Sequence, residues 1–173
     1  MTTIVNIKKK YIKDEYENIK EWCKDKNNIY IGRKGVLIID GERFPTENSL
    51  FHNPYKIKDG EDREKVILKY KIYLLKKLKD DKNFTKEFYK LKNKNLGCWC
   101  KPDSCHGDVI IDILNKDKKQ FLKNIDIIIK IEQAKLNIYN ELKNHDNDPN
   151  NNTLLGTYWI YDIISEEMSN ILR

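Results

Sequence analysis

The sequence predicts a three-layer α/β fold with a short, largely parallel sheet. Two observations lead to this prediction. Short apolar segments of the kind found in strands alternate with longer segments whose apolar residues recur at helical spacing. The predicted order of strand, helix, strand, hairpin, loop, two helices, strand and helix is typical of proteins whose helices cover a sheet. A chain of 173 residues is also long enough to bury a core without disulfide or metal support.

The first third of the chain predicts two strands and one helix. Residues 3–7 and 28–32 are short apolar segments and are predicted to be strands. Residues 11–24 are predicted to form one amphipathic helix, whose apolar face consists of Ile12, Tyr16, Ile19 and Cys23. Cys23 is then a small core residue. The second strand ends at Gly32 and Arg33, which either form a surface turn or bring backbone N–H groups and a guanidinium to an anion.

A hairpin and a long irregular loop follow. Residues 36–44 are predicted to be a hairpin at the edge of the sheet, because Asp40-Gly41 tolerates the positive φ angles of a tight turn. Residues 44–57 contain several side chains that often position ligands. Asn53 precedes Pro54 and is therefore pushed to extended geometry, which presents its amide outward. His52 is either a solvated loop imidazole or an acid–base group.

Helices dominate the rest of the chain. Residues 62–80 and 84–92 are predicted helices that lead into a central strand. Beyond Asn115, the spacing predicts a long helix over 117–143, a polar loop over 144–152 and a final helix over 153–173. We therefore divide the chain into an α/β domain, residues 1–116, and a helical extension, residues 117–173. The extension packs on the domain or on a second copy, so a homo-oligomer is expected as an alternative.

Composition narrows the class of protein only partly. The formal net charge of +6 favours nucleic-acid binding, but the abundance of Lys, Asn and Ile is also what an A/T-rich coding sequence produces. The N-terminus lacks the apolar segment of a secretory signal, and no apolar run is long enough to span a membrane. We expect a soluble cytoplasmic protein with four reduced cysteines and no membrane partner.

The stretch from Lys94 to Asn115 carries most of the residues that do chemistry. Cys98 and Cys100 share one face of the predicted strand, and a short loop with an N-cap at Ser104 then leads into a helix. The beginning of this helix, Cys105 to Asp108, lies just past the carboxyl end of the strand. Unpaired N–H groups and the helix dipole favour an anion there, and Gly107 would let a ligand approach the backbone.

Three interpretations of this stretch remain open. The first is a zinc site formed by Cys98, Cys100, Cys105 and His106, for which the residue types suit tetrahedral zinc. The spacing fits poorly, because adjacent Cys105 and His106 are expected to diverge on a helix. The second is a ligand site or reactive site in which Cys105 or Asp108 acts with His106 as acid or base. The third assigns the cysteines to strand packing and Asp108 to helix capping.

These residues resemble an uncharacterised family of domains. The resemblance covers residues 4–115 and rests on Ile31-Gly32-Arg33, on residues 49–57, on the helix over 63–74 and on the block Gly-Cys-Trp-Cys-Lys-Pro-Asp-Ser-Cys-His-Gly-Asp that ends at Asp108. The chain departs from the family pattern through an insertion at 34–47, through Phe51-His52 and through the extension after Asn115. The resemblance implies a small Rossmann-like domain that handles nucleotides or nucleic acid.

We therefore expect a phosphorylated, nucleoside-like ligand at the strand end, with hydrolytic or transfer chemistry as a further expectation. The candidate ligand-binding residues are Gly32, Arg33, Ser49, His52, Asn53, Pro54, Cys98, Cys100 and Gly107. The candidate catalytic residues are Cys105, His106 and Asp108. No cofactor is predicted, and zinc is the alternative. From a different class, an interaction protein of viral type that assembles through its C-terminal helices is the second hypothesis.

Overall fold

The computed structural model describes residues 1–35, 37–58 and 62–145. In chain order the elements are β1 (Thr3–Asn6), α1 (Lys9–Ile12), α2 (Ile19–Trp22), β2 (Asn28–Tyr30), β3 (Leu37–Ile39), β4 (Glu42–Phe44), α3 (Arg63–Asp80), α4 (Lys82–Tyr89), β5 (Asn95–Cys98), α5 (His106–Leu114) and α6 (Lys118–His145). The polar loop after His145 and the final helix predicted over 153–173 lie outside the described residues.

The main sheet has three parallel strands in the order β1-β5-β2. Leu96 of the central strand pairs with Ile4 on one side and with Ile29 on the other. Successive residues of β5 face opposite sides, and each side is covered by its own buried cluster. Leu96 lies in the larger cluster, with helices α3, α5 and α6, while Gly97 faces Trp22 of α2. The predicted α/β fold with a short parallel sheet is confirmed.

The single helix predicted over 11–24 is wrong, because the segment forms two one-turn helices. The side chain of Asn18 accepts hydrogen bonds from the backbone N–H groups of the next turn and starts α2 as a separate element. Ile12 and Ile19 are buried as predicted. The main core contribution comes from Trp22, which is 2% exposed, whereas Cys23 is only half-buried.

The hairpin predicted around Asp40 and Gly41 is confirmed. Its two strands pair antiparallel, with Ile39 opposite Glu42, and both turn residues have positive φ, 54° and 82°. The hairpin was predicted to lie at the edge of the main sheet. Instead, its two strands form a separate two-stranded sheet.

Helix α6 packs along α3 and contributes to the same core as the sheet. Phe121 and Ile125 of α6 belong to the buried cluster that also contains Leu96. Further along, the buried carboxylate of Glu132 lies 3.0 Å from the ammonium of Lys71 on α3. The predicted division after residue 116 therefore falls between two helices of one core. Among the described residues, no helix combines the length and the apolar character needed to cross a membrane.

Candidate metal centre and ligand cavity

Four metal-ligating side chains meet where β5 ends and α5 begins. Cys98 is the last residue of β5, Cys100 lies in the following loop, Cys105 caps α5 and His106 is its first residue. The two sulfur atoms of Cys98 and Cys100 are 3.4 Å apart. The Nδ1 atom of His106 is 3.8 Å from the sulfur of Cys98 and 3.8 Å from that of Cys105. All four ligand atoms lie within 4.8 Å of one another, so they could hold a metal ion.

The shorter distances between these atoms match those between the ligands of tetrahedral zinc. Zinc–sulfur bonds of about 2.3 Å and zinc–nitrogen bonds of about 2.0–2.1 Å place tetrahedral ligand atoms roughly 3.4–3.8 Å apart. The expectation that Cys105 and His106 diverge on a helix is wrong. Cys105 is the N-cap, with extended backbone angles of φ −129° and ψ 144°, so the two side chains do not follow helical geometry. The predicted cap at Ser104 is correspondingly one residue too early.

The ring of His106 is oriented by a hydrogen bond on its other nitrogen. Nε2 lies 2.9 Å from the carbonyl oxygen of Ile31, and both residues are buried. A carbonyl oxygen can only accept, so Nε2 carries a proton and donates to it, and Nδ1 is the nitrogen that faces the sulfur atoms and would bind a metal ion once its own proton is released. The edge of the ring also contacts Tyr70, with ring centroids 5.1 Å apart. Histidine ligands of metals are usually oriented through the second nitrogen in this way.

Hydrogen bonds among the thiols and the imidazole shift the pKa values of these groups. Hydrogen bonds from Cys105, Cys98 and His106 lower the pKa of Cys100, whereas the hydrogen bond with Cys100 and the burial of the side chain raise the pKa of Cys105. Burial lowers the pKa of His106, but the hydrogen bonds that its ring donates to the sulfurs of Cys100 and Cys98 outweigh burial and raise that pKa to about 9. The cluster therefore favours a negative charge on sulfur beside a cation, which is the charge arrangement that a bound metal ion supplies.

Asp108 and Gly107 have structural partners at the start of α5. A carboxylate oxygen of Asp108 accepts from the backbone N–H of Cys105 at 2.9 Å, and the sulfur of Cys105 accepts from the N–H of Gly107 at 3.3 Å. The same carboxylate pairs with Lys101 at 2.7 Å. A Cβ atom on Gly107 would lie 3.0 Å from side-chain atoms of Ile31. Gly107 therefore allows α5 to approach the sheet, and the expected approach of a ligand to its backbone stays a prediction.

A cavity of about 470 Å³ opens beside the four metal-ligating residues. It is lined by Gly32, Arg33, Asn53, Tyr55, Lys56, Ile57, Arg63, Val66, Ile67, Cys98, Trp99, Cys100, Ser104 and His106. Six of these residues were predicted from the sequence: Gly32, Arg33, Asn53, Cys98, Cys100 and His106. The carboxyl ends of β2 and β5 thus bring together segments that are more than sixty residues apart in the sequence. Ligand crevices of α/β sheets lie at this end of the strands.

Two arginines at the cavity are held by backbone carbonyls. The Nε atom of Arg33 donates to the carbonyl oxygen of Asn53 at 2.8 Å, and its Nη2 atom donates to that of Tyr55. Arg63, the first residue of α3, reaches the carbonyl oxygen of Ser104 at 3.4 Å and a carboxylate oxygen of Asp103 at 3.3 Å. These contacts direct positive charge toward the cavity and link α3 to the loop that carries the cysteines.

Ser49, His52 and Pro54 do not line the cavity. The backbone N–H of Ser49 donates to the carbonyl oxygen of Gly32 at 3.1 Å, and Nδ1 of His52 lies 2.7 Å from the carbonyl oxygen of Ser49. Pro54 is exposed. These three residues belong to the loop that places Asn53, and their predicted contact with a ligand stays a prediction.

Sequence analysis missed Tyr55, Lys56, Arg63 and Trp99 as cavity residues. Lys56 lies in the loop predicted over 44–57, and Arg63 follows this loop at the start of α3. Their positive charge could have marked them as candidates for binding an anion. Trp99 was expected to point away from Cys98 and Cys100. It does pack against the cluster on the other face of the sheet, where its Nε1 donates to the hydroxyl of Tyr30 at 3.2 Å, but it is also one of the residues that line the cavity.

Replacing Tyr30 with phenylalanine is expected to lower the free energy of unfolding by about 1 kcal/mol. The hydroxyl of Tyr30 donates to the carbonyl oxygen of Arg33 at 2.6 Å and accepts from Trp99. Burial raises the pKa of Tyr30 to about 12, so the hydroxyl remains a donor at neutral pH. Urea unfolding measures the loss, with Tyr11→Phe, at a side chain 52% exposed, as the control. Equal values for both variants would contradict this role of the hydroxyl.

Comparison with known proteins finds one family. The model of the domain of unknown function DUF4326 matches residues 15–116, which include the four metal-ligating residues. An uncharacterized 12.4 kDa protein from the nrdA-td intergenic region of Enterobacteria phage T4 is 35% identical over 66 residues. The aligned segment covers 38% of this chain and 61% of the phage protein, which is less than two thirds of that relative. No solved structure matches the chain.

Proposed function

The chain belongs to the family of the domain of unknown function DUF4326, and we propose that it is a zinc-stabilised domain that binds a phosphorylated, nucleoside-like ligand. One observation carries the proposal. Three of the four metal-ligating residues that lie together in the described part of the chain, Cys98, Cys100 and His106, line a cavity that three cationic and two aromatic side chains also line. This cavity lies at the carboxyl ends of parallel strands, where α/β proteins bind their ligands.

The charges of the cavity favour an anionic ligand group. Arg33, Lys56 and Arg63 line it, and no carboxylate is among the residues that line it in the described parts of the chain. Arginine donates parallel hydrogen bonds that match phosphate oxygens, and lysine adds a point charge. Two aromatic residues also line the cavity, Trp99 and Tyr55, and Tyr55 is 37% exposed. Aromatic rings of this kind stack on nucleobases.

The metal ion has a structural role in this proposal. Three cysteines and one histidine would occupy all four tetrahedral positions, so no position stays open for water or substrate. The ion would fix the loop between Cys98 and Cys105 and, through His106 and the carbonyl of Ile31, the strand end that leads to Arg33. The ion thus shapes the wall of the cavity.

The contacts of the three predicted catalytic residues favour a protein that binds its ligand without converting it. Cys105 and His106 belong to the metal-ligating cluster. The carboxylate of Asp108 accepts hydrogen bonds from the ammonium of Lys101 and from the backbone N–H of Cys105. Each of the three predicted catalytic residues therefore has a structural partner. Assembly through the C-terminal helices stays a prediction, since the final helix lies outside the described residues.

The ligand proposal is tested by titrating the zinc-loaded protein with nucleoside monophosphates and with the matching nucleosides. We expect the phosphorylated compounds to bind at least tenfold more tightly. Arg63→Gln should weaken their binding about tenfold or more, because charge-assisted hydrogen bonds contribute about 1.5–3 kcal/mol. Arg43→Gln is the matched control, since Arg43 lies on the hairpin and does not line the cavity. Equal affinities for nucleosides and nucleotides, or equal effects of the two variants, would refute the proposal.

A further inference from the structure

The three cysteines of the metal-ligating cluster differ in their access to the cavity. Cys98 and Cys105 are 2% and 1% exposed, although Cys98 is also among the residues that line the cavity. Cys100 is only half-buried and is a lining residue of the cavity. Its sulfur is therefore the sulfur of the cluster that a bound molecule can reach.

Cys23 provides an internal comparison. It is half-buried like Cys100, but it packs in the cluster of Trp22 on the other face of the sheet. Burial raises the pKa of Cys23 to about 11, so its thiol stays protonated at neutral pH. Exposure alone therefore does not distinguish the two cysteines, whereas their surroundings do.

A zinc ion bound by three thiolates and one neutral imidazole carries a net charge of about −1, because three sulfur charges exceed the charge of the ion. A thiol that binds the ion is deprotonated outright, and the thiolate is the nucleophilic form of cysteine. Cys98 and Cys105 are almost fully buried, so a reagent reaches their thiolates far less readily. Cys100 combines a metal-bound thiolate with an open path.

We propose that Cys100 is a nucleophilic metal thiolate that accepts an alkyl group from a carbon electrophile bound in the cavity. The proposal rests on the metal centre of the proposed function. A lone pair of the Cys100 sulfur forms a new S–C bond, while the bond between that carbon and its leaving group breaks. The leaving group departs with the bonding electrons, so no proton, oxidant or reductant is needed. The product is a thioether at Cys100.

The cavity also indicates which electrophiles fit. Arg33, Lys56 and Arg63 line the same space as Cys100 and favour an electrophile that carries negative charge. A departing phosphate or carboxylate would be stabilised by the same cations. The substrate class is therefore an alkyl group on an anionic carrier, such as an ester of phosphoric acid.

Limited alkylation tests the proposal. Zinc-loaded protein is treated with iodoacetate or with the neutral iodoacetamide, and the modified cysteine and the zinc content are measured by mass spectrometry in the same samples. We expect Cys100 to react at least tenfold faster than each of the other cysteines. Relative to glutathione, the ratio of iodoacetate to iodoacetamide rates should be raised severalfold, and Arg63→Gln should lower it again. Cys23→Ser, outside the cluster, should leave both rates unchanged.

The outcomes separate this inference from the proposed function. Protein that retains no zinc after loading would overturn both. Protein that retains one equivalent of zinc but is modified first at Cys23, or equally at all cysteines, would overturn the role of Cys100 alone. Selective modification of Cys100 with no preference for iodoacetate would overturn the anionic substrate class.

Discussion

Cys98→Ala is expected to abolish stoichiometric zinc binding and to lower the midpoint of thermal unfolding by roughly 10 °C. The sulfur of Cys98 is buried and lies close to both Cys100 and His106. A ligand present at about a thousand times its dissociation constant stabilises the folded state by about 4.1 kcal/mol. For a domain of this length, 1 kcal/mol shifts the midpoint by about 2–4 °C. Loss of the ion therefore outweighs the loss of one buried side chain.

The control separates metal binding from packing. Cys23→Ala also removes a sulfur from an apolar cluster, but Cys23 is not among the metal-ligating residues. This variant should retain one equivalent of zinc. A chelator should lower the midpoint of the wild-type protein and of Cys23→Ala, and should leave Cys98→Ala nearly unchanged. If the chelator has the same small effect on all three proteins, the four side chains do not form a structural metal centre.

The residue set of this centre could be predicted from the sequence, but its geometry could not. Three cysteines and a histidine within a short stretch identify the metal-ligating types. Whether Cys105 and His106 converge depends on where the helix begins, and element boundaries are the least certain part of a sequence-based prediction. The cap is Cys105, one residue later than expected, and the helix begins at His106, so the two side chains converge.

The position of the cavity was predictable for a different reason. Carboxyl ends of parallel strands meet at one edge of a sheet, so Arg33, after the second predicted strand, and the helix start at Cys105 to Asp108 were expected to lie at one pocket. β2 pairs with β5, and Arg33 and His106 line the same cavity. Arg63 could not be placed in the same way, because its contact with the cysteine loop depends on how α3 packs. Asn53 was expected to offer its amide to a ligand, yet its Oδ1 atom accepts from the backbone N–H of Tyr55 at 2.9 Å.

Gly97→Ala is expected to lower the free energy of unfolding by about 2–3 kcal/mol, at the upper end of the range for overpacked cores. Gly97 lies in the central strand, with a neighbouring strand on each side. An added Cβ atom would lie 2.7 Å from two atoms of the Trp22 ring and 2.8 Å from Cγ2 of Ile7. Both side chains are fully buried, so neither can move without disturbing its cluster. Urea unfolding measures the loss, and the zinc content should remain at one equivalent.

A double-mutant cycle identifies the contact responsible. The atoms that approach Gly97 are Cη2 and Cζ3, which belong to the six-membered ring of the Trp22 indole. Phenylalanine has only one ring, so these two atoms are missing from its smaller side chain. Trp22→Phe alone should destabilise the protein by leaving a cavity. In Gly97→Ala/Trp22→Phe the added methyl group would fill part of this cavity, so the combined loss should fall short of the sum by about 1 kcal/mol or more. Strictly additive losses would show that the indole does not set the size limit at position 97. The requirement for glycine would then have to come from Ile7 or from the backbone of the strand.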